Sequence, residues 1–304
     1  MSAAMQWDVN GLTWPNRAAS SFVEAGGLRW HVQQAGAGPT LLLLHGTGAA
    51  THSWRGLFPW LANFFTIIAP DLPGHGFTSA PPPAEHSLPS FATLVAALLT
   101  QLRVKPVFTV GHSAGAAIAA RMCLDNAIAP AGIVAINGAM LPLQGLPGTV
   151  FSPLAKLLAA NSIVPKLFSW RAGDRAVTER LLQGTGSKID EEGVALYGEL
   201  MRHSSHAAAA LNMMAHWDLP ALERDIGRLV TPMMLIVGDN DRTVPPNDAA
   251  RLLRYLPKAT VKHLPHLGHL AHEEAPQKVG EIICNFAVQL GLLQNAYETE
   301  MSAT

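Results

Sequence analysis

Apolar residues fall along this chain in two alternating patterns: short unbroken runs, and longer stretches that repeat every three to four residues. Leu41–Leu44, Thr66–Ala69, Pro106–Val110, Ile133–Ile136 and Met233–Val237 are of the first kind. Strands covered on both faces read this way, because successive side chains point to opposite sides and both sides are apolar. Thr260–Leu264 is a further strand, and Phe22–Glu24 with Leu28–Val32, joined at Gly26-Gly27, reads as an antiparallel hairpin. Between the runs, Ser53–Ala62, Leu88–Leu102, Ala114–Met122, Asp248–Tyr255 and Pro276–Leu290 have helical character. Residues 1–19 are irregular, with Trp7, Trp14 and Pro15 expected on the surface of the core. Strand–helix alternation with short connections predicts an α/β fold: a mostly parallel twisted sheet with helices on both faces and right-handed crossovers.

The alternation breaks once. From Met140 to Ala215 no buried-strand pattern occurs, and Pro142, Pro147, Pro153 and Pro165 cut a helical stretch into short pieces. Leu154, Leu157, Leu158, Val164, Leu167, Phe168 and Trp170 give those pieces wide apolar faces. This predicts a helical cap inserted at 139–215 between two parts of the core, 1–138 and 216–304.

Composition changes the picture modestly. Hydrophobic residues make up 49% and charged residues 14%, with a net charge of −1, so no basic field argues for nucleic acid. Cys123 and Cys284 fall in predicted helices, read as small buried hydrophobes, and provide neither a disulfide framework nor zinc spacing. The N-terminus carries Asp8 and Asn10 and reads as no signal peptide. No run is apolar enough to span a bilayer, since Gly115–Leu143 is interrupted by Arg121, Asp125 and Asn126. The expected location is cytoplasmic, with peripheral contact at the cytoplasmic membrane face left open by the apolar cap.

In open α/β sheets ligands bind beyond the carboxyl ends of the strands, and the chemistry-bearing residues cluster there. Gly111-His112-Ser113-Ala114-Gly115 lies between an apolar strand and an alanine-rich helix. This is the G-x-S-x-G turn that lifts a serine hydroxyl above a sheet, so Ser113 is the candidate nucleophile. A serine needs a base, and the base needs a carboxylate that fixes its tautomer. Asp241 follows the strand after the cap and His269 follows the last strand, in the order serine, acid, histidine. Asp239 is the rival acid, while Asn137, at the end of the strand before the cap, cannot be one. The backbone N–H groups of Thr47, after His45-Gly46, and Ala114 are the candidate oxyanion donors.

Other motifs read as structural. Asp71-Leu72-Pro73-Gly74-His75-Gly76 lacks the pattern of a phosphate loop and is taken as a turn. His45 and His112 read as hydrogen-bonding scaffold, and His203, His206 and His216 as surface or pocket-lining residues. His263, His266, His269 and His272 recur every third residue, but Pro265 and Gly268 break any helix that would align them on a metal. No metal or other cofactor is expected.

With HGTG (45–48), DLPGHG (71–76), GHSAG (111–115), GDND (238–241) and GH (268–269) in this order, the chain resembles the α/β-hydrolase superfamily from about residue 20 to 290. WPNR (14–17), LRWHVQ (28–33), HGTGAATHSWR (45–55), GHSAGAAIAARM (111–122), FSPLAKLLA (151–159) and GTGSKID (184–190) narrow this. Together they resemble the magnesium chelatase accessory family of bacteriochlorophyll biosynthesis. The resemblance implies a role in magnesium insertion into protoporphyrin IX, and with it a tetrapyrrole ligand and association with the chelatase. Two functions stay open: a serine hydrolase acting on an acyl or ester bond of an apolar small molecule, and a non-catalytic tetrapyrrole-binding or chelatase-assisting protein. In either, Phe151, Leu154, Phe168, Met213 and Met214 are candidate substrate-binding residues of an apolar pocket under the cap. A serine at 113, where dehalogenases and epoxide hydrolases need a carboxylate, argues against their chemistry.

Overall fold

A computed structural model describes residues 4–142 and 174–294, with Pro165, Ser169 and Arg171 between them. Among the described residues one eight-stranded sheet runs in the order β1-β2-β4-β3-β5-β6-β7-β8. The strands are β1 Ser20–Ala25, β2 Leu28–Ala35, β3 Thr40–Leu44, β4 Thr66–Pro70, β5 Phe108–His112, β6 Gly132–Ile136, β7 Met233–Gly238 and β8 Ala259–Leu264. Only the pairings β1–β2 and β2–β4 are antiparallel; β4, β3, β5, β6, β7 and β8 run parallel.

The unbroken apolar runs have the expected cause. Leu42 and Leu44 of β3, with Ile133 and Ala135 of β6, join a core with the helices Leu88–Leu102 and Ala114–Leu124. Their neighbours Leu41, Leu43, Val134 and Ile136 point the other way, against Trp54, Leu57 and the helix Pro276–Gln289. The central strands β3, β5 and β6 are therefore buried along almost their whole length, because the sheet is covered on both faces there, whereas the outer strands β1 and β8 carry exposed positions.

Two helices are shorter than their pattern. Ser53–Ala62 resolves into a 3-10 turn, Thr51–Trp54, and one α-turn, Phe58–Leu61. Gly56 sits at the break, where a Cβ would lie 2.9 Å from the Pro276 ring. Asp248–Tyr255 is helical only to Leu252. The nucleophile strand is displaced by two residues, running through Gly111 and His112 into the motif itself.

Between β6 and β7 the described residues form helices Arg175–Gly184, Glu191–Met201, Ser204–His216 and Leu219–Asp225, and no strand. Asp174, Asp190 and Asp218 cap three of them by accepting from the backbone N–H of Ala176, Gly193 and Ala221. This is an α/β-hydrolase fold with an inserted helical cap. At the N-terminus Trp14 is buried and Trp7 half-buried, with the Arg17 guanidinium 4.4 Å from the Trp7 ring. Cys284 is buried and Cys123 partly so. Among the described residues no helix is long and apolar enough to cross a membrane.

Candidate active site

Ser113 follows β5 and caps the helix Ala114–Leu124 with φ 51° and ψ −115°. A non-glycine residue there stores about 1–3 kcal/mol of strain, and the surroundings must hold it. Ser113 N donates to Ile136 O at 3.0 Å, and Ser113 O accepts from Ala116 N and Ala139 N, each at 3.1 Å. The two flanking glycines are required by packing: a Cβ at Gly115 would lie 2.0 Å from Leu44 O, and one at Gly111 2.5 Å from Ala116 N. The turn is thus wedged between β3 and its own helix, and the N–H groups that open that helix lack intrahelical partners, apart from Ala116 N on Ser113 O. Ala114 N–H is among them.

The loops after β7 and β8 bring a carboxylate and an imidazole together. His269 Nδ1 lies 2.8 Å from Asp241 Oδ2, both residues being buried. Asp241 Oδ1 accepts from Thr243 N at 2.7 Å and Val244 N at 2.9 Å, which fixes the carboxylate. Asp239 faces outward instead and pairs with exposed His263 at 2.7 Å. The pairing therefore singles out Asp241 as the partner of His269. The His269 ring is 4.7 Å, centroid to centroid, from that of His112, next to the elbow. No hydrogen bond joins Ser113 Oγ to His269 Nε2, a contact that in ligand-free sites commonly tightens only when substrate binds.

The loop after β3 closes against the same elbow. A Cβ at Gly46 would lie 2.8 Å from His112 Nδ1 and 3.1 Å from Ser113 Cβ. His45 donates through Nδ1 to Gly46 O and accepts through Nε2 from Leu72 N, both at 2.8 Å. Burial lowers its pKa, leaving a neutral scaffold residue. Thr47 follows, its hydroxyl directed to Met213 Sδ at 3.3 Å. His206 of the cap staples this loop to the one after β4: its Nε2 donates to Gly48 O at 3.1 Å and its Nδ1 accepts from Gly76 N at 3.2 Å. Burial depresses its pKa to about 4.

Of the expected pocket residues, Met213 is fully buried and Met214 is 47% exposed, while Phe151, Leu154 and Phe168 lie outside the described residues. His203 is buried beside Glu199 at 3.3 Å, and His216 Nδ1 donates to Asn212 O at 2.9 Å. The DLPGHG segment is built around Asp71, which accepts from Thr51 N at 2.7 Å, His31 Nδ1 at 2.7 Å and Phe77 N at 2.9 Å. Burial alone would raise that carboxyl, but His31 above all, with His45 nearby and the Phe77 N–H, holds it well below the usual range. The four histidines spaced by three part company: His263 is exposed, His269 meets Asp241, and His272 is buried against Trp54, 4.7 Å between ring centroids. Among the described residues no group of three or more His, Cys, Asp or Glu side chains is arranged to hold a metal ion.

Three sets of supporting residues surround these side chains. Asn137 and His112 both donate to the His269 carbonyl, at 2.8 and 2.9 Å. Thr185-Gly186-Ser187 of the cap forms a strap across both the acid and the base loop. Thr185 O accepts from Arg242 N at 3.1 Å and His269 N at 3.4 Å, and Ser187 Oγ accepts from Leu270 N at 2.8 Å. Gly186, at φ 85°, passes so close that a Cβ would lie 1.9 Å from Asn240 O. The visible signal was the GTGSKID motif, glycine-rich within a helical region. A buried polar cluster adds a second tie. Glu273 accepts from Tyr197 at 2.8 Å and pairs with Arg55, which reaches Asp190 at 2.8 Å. Burial raises the Glu273 carboxyl to about 7 against the pull of Arg55 and Tyr197.

Known proteins share this architecture. The chain is 37% identical over 275 residues to the magnesium-chelatase 30 kDa subunit of Rhodobacter capsulatus, covering 90% of this chain and 96% of that one. It is 28% identical to the pimeloyl-[acyl-carrier protein] methyl ester esterase of Methylococcus capsulatus, covering 80% and 93%. The structure of an alpha/beta hydrolase fold protein from Burkholderia ambifaria superposes with a TM-score of 0.74 at 23% identity, covering 88% of this chain and 97% of that one. The alpha/beta hydrolase fold family itself matches residues 39–276. With its sheet order, inserted cap and serine elbow already described, the chain belongs to the α/β-hydrolase fold family.

Proposed function

We propose that the protein is a serine hydrolase that cleaves an acyl or ester bond in an apolar small molecule, and that it serves magnesium insertion in bacteriochlorophyll synthesis. The observation that carries the chemistry is the buried 2.8 Å His269–Asp241 pair beside the strained Ser113 elbow. In this reading Ser113 Oγ attacks the substrate carbonyl while His269 Nε2 takes its proton. Asp241 holds the imidazole by Nδ1 and stabilises the imidazolium that forms. The N–H groups of Thr47 and Ala114 receive the developing oxyanion, each such donor being worth on the order of 10²–10³ in rate. His269 then protonates the leaving oxygen, and water, deprotonated by the same imidazole, releases the acyl group from Ser113. No cofactor enters the cycle.

The pathway assignment is supported by the Rhodobacter capsulatus relative, named as a magnesium-chelatase subunit and matched along 96% of its length. The same relative favours a second reading, because inserting a metal needs no acyl transfer. A non-catalytic protein holding a tetrapyrrole under the cap, or assisting the chelatase, would keep this fold for binding alone. Pigment accumulation in cells lacking the native protein and supplied with Ser113→Ala separates the two. Loss of pigment with a folded variant is the result expected of a hydrolase; full rescue assigns the biological role to binding.

A further inference from the structure

β6 ends at Ile136, and the next residue, Asn137, sits at φ 45°, a region that asparagine enters more readily than most side chains. Its side chain is buried at 3% exposure, and both polar atoms of its amide are hydrogen-bonded. Oδ1 accepts from Gly238 N at 2.8 Å, and Nδ2 donates to Gly268 O at 2.9 Å and His269 O at 2.8 Å. Gly238 closes β7 and opens the loop that carries Asp241; Gly268 and His269 belong to the loop after β8. A primary amide is the neutral side chain with an acceptor on one side and two donor hydrogens on the other. One planar group from a third strand thus joins the acid loop to the base loop. His112 Nε2 completes the cradle by donating to the same His269 carbonyl at 2.9 Å. Two backbone bonds, Asp239 N to Leu264 O at 3.1 Å and Asn240 N to Leu267 O at 2.9 Å, also tie these loops, but both end short of Asp241 and His269.

Resting on the hydrolase reading above, we propose that Asn137 is a positioning residue, a cross-brace that sets the His269 imidazole between Asp241 and Ser113 through the main chain of the two loops. Asn137→Asp keeps the shape and the acceptor for Gly238 N, yet turns a carboxylate oxygen towards two carbonyl oxygens that now meet a donor. Asn137→Ala removes the brace altogether, and Asn137→Ser leaves a hydroxyl too short to reach both loops. A displacement of the order of 1 Å at a catalytic base costs about 10²-fold in turnover.

The test uses hydrolysis of p-nitrophenyl butyrate over a pH series, with the downfield proton NMR signal of His269 Nδ1–H, assigned by its loss in His269→Ala, as a readout independent of turnover. For Asn137→Asp and Asn137→Ser the expected result is a kcat lower by about 10²-fold with KM within about threefold, a displaced pH–rate profile, and a shifted or missing Nδ1–H signal. An active wild type with variants that match it in kcat, profile and signal, differing only in melting temperature, overturns the brace and leaves the hydrolase reading standing. A wild type without turnover, whose Nδ1–H signal is nonetheless lost in the variants, sinks the hydrolase reading and supports the brace. Should Asn137→Ala fail to fold, the aspartate and serine variants carry the comparison.

Discussion

Lowering the pH should destabilise the folded chain through its buried histidines, and His206, which ties the cap to two loops of the core, is where one contribution can be isolated. His206 is buried, bridges Gly48 O and Gly76 N, and has its pKa depressed from 6.5 to about 4, chiefly by burial. As the pH falls the unfolded chain binds the proton first, so stability present above pH 6.5 is lost progressively towards pH 4. Between pH 7 and pH 5 the linkage amounts to about 2 kcal/mol at 1.36 kcal/mol per pKa unit. His272, depressed by burial to about 3 with His269 and Arg55 nearby, contributes a loss of the same sign and about the same size over that interval. His45, His52, His75 and His112 shift in the same direction, chiefly through burial. Against a total stability of about 5–15 kcal/mol this is large. His206→Gln offers a carbonyl to Gly76 N and an amide N–H to Gly48 O without a titrating group. In urea unfolding at pH 7 and pH 5, its loss of stability should be smaller than that of the parent by about 2 kcal/mol. Equal losses in the two proteins would refute the reasoning, since His206 would then not be the neutral staple described.

Three other expectations follow from the site. Asp241→Asn should lower ester turnover by on the order of 10³–10⁴ by releasing the imidazole tautomer, whereas Asp239→Asn, altering only an exposed pair with His263, should leave kcat within about twofold. Gly186→Ala places a Cβ 1.9 Å from Asn240 O at φ 85° and should cost at least about 2 kcal/mol in thermal unfolding, with a matching fall in turnover as the strap shifts. Tyr197→Phe leaves a buried Glu273 oxygen without its donor and should destabilise by about 1–3 kcal/mol in the same assay.

The fold was legible because its strands are covered on both faces, so that Leu41–Leu44 or Ile133–Ile136 could be little else. Helix ends were less so: the predicted Ser53–Ala62 helix is broken at Gly56, which packs where a Cβ would meet the Pro276 ring, a long-range contact that local periodicity does not carry. At the site the elbow announced itself through spacing, and the order of motifs pointed to Asp241 and His269. The choice between Asp239 and Asp241 needed the loop geometry, which sends one outward to His263 and the other inward to His269. Asn137 carries no charge and so gives no catalytic signal in the sequence; its hydrogen bonds depend on amide geometry across loops that are adjacent only after folding. The sequence suggests a surface or pocket-lining His206, whereas the folded chain buries it between partners 158 and 130 residues away.

The central claim is that Ser113 is an activated nucleophile, and covalent labelling tests it without knowledge of the natural substrate. The protein is treated with a fluorophosphonate at neutral pH and its intact mass followed, alongside Ser113→Ala and His269→Ala. A single adduct, mapped to Ser113, is expected, absent in Ser113→Ala and formed far more slowly in His269→Ala. An unlabelled wild-type protein, or an adduct that persists in Ser113→Ala, would contradict it.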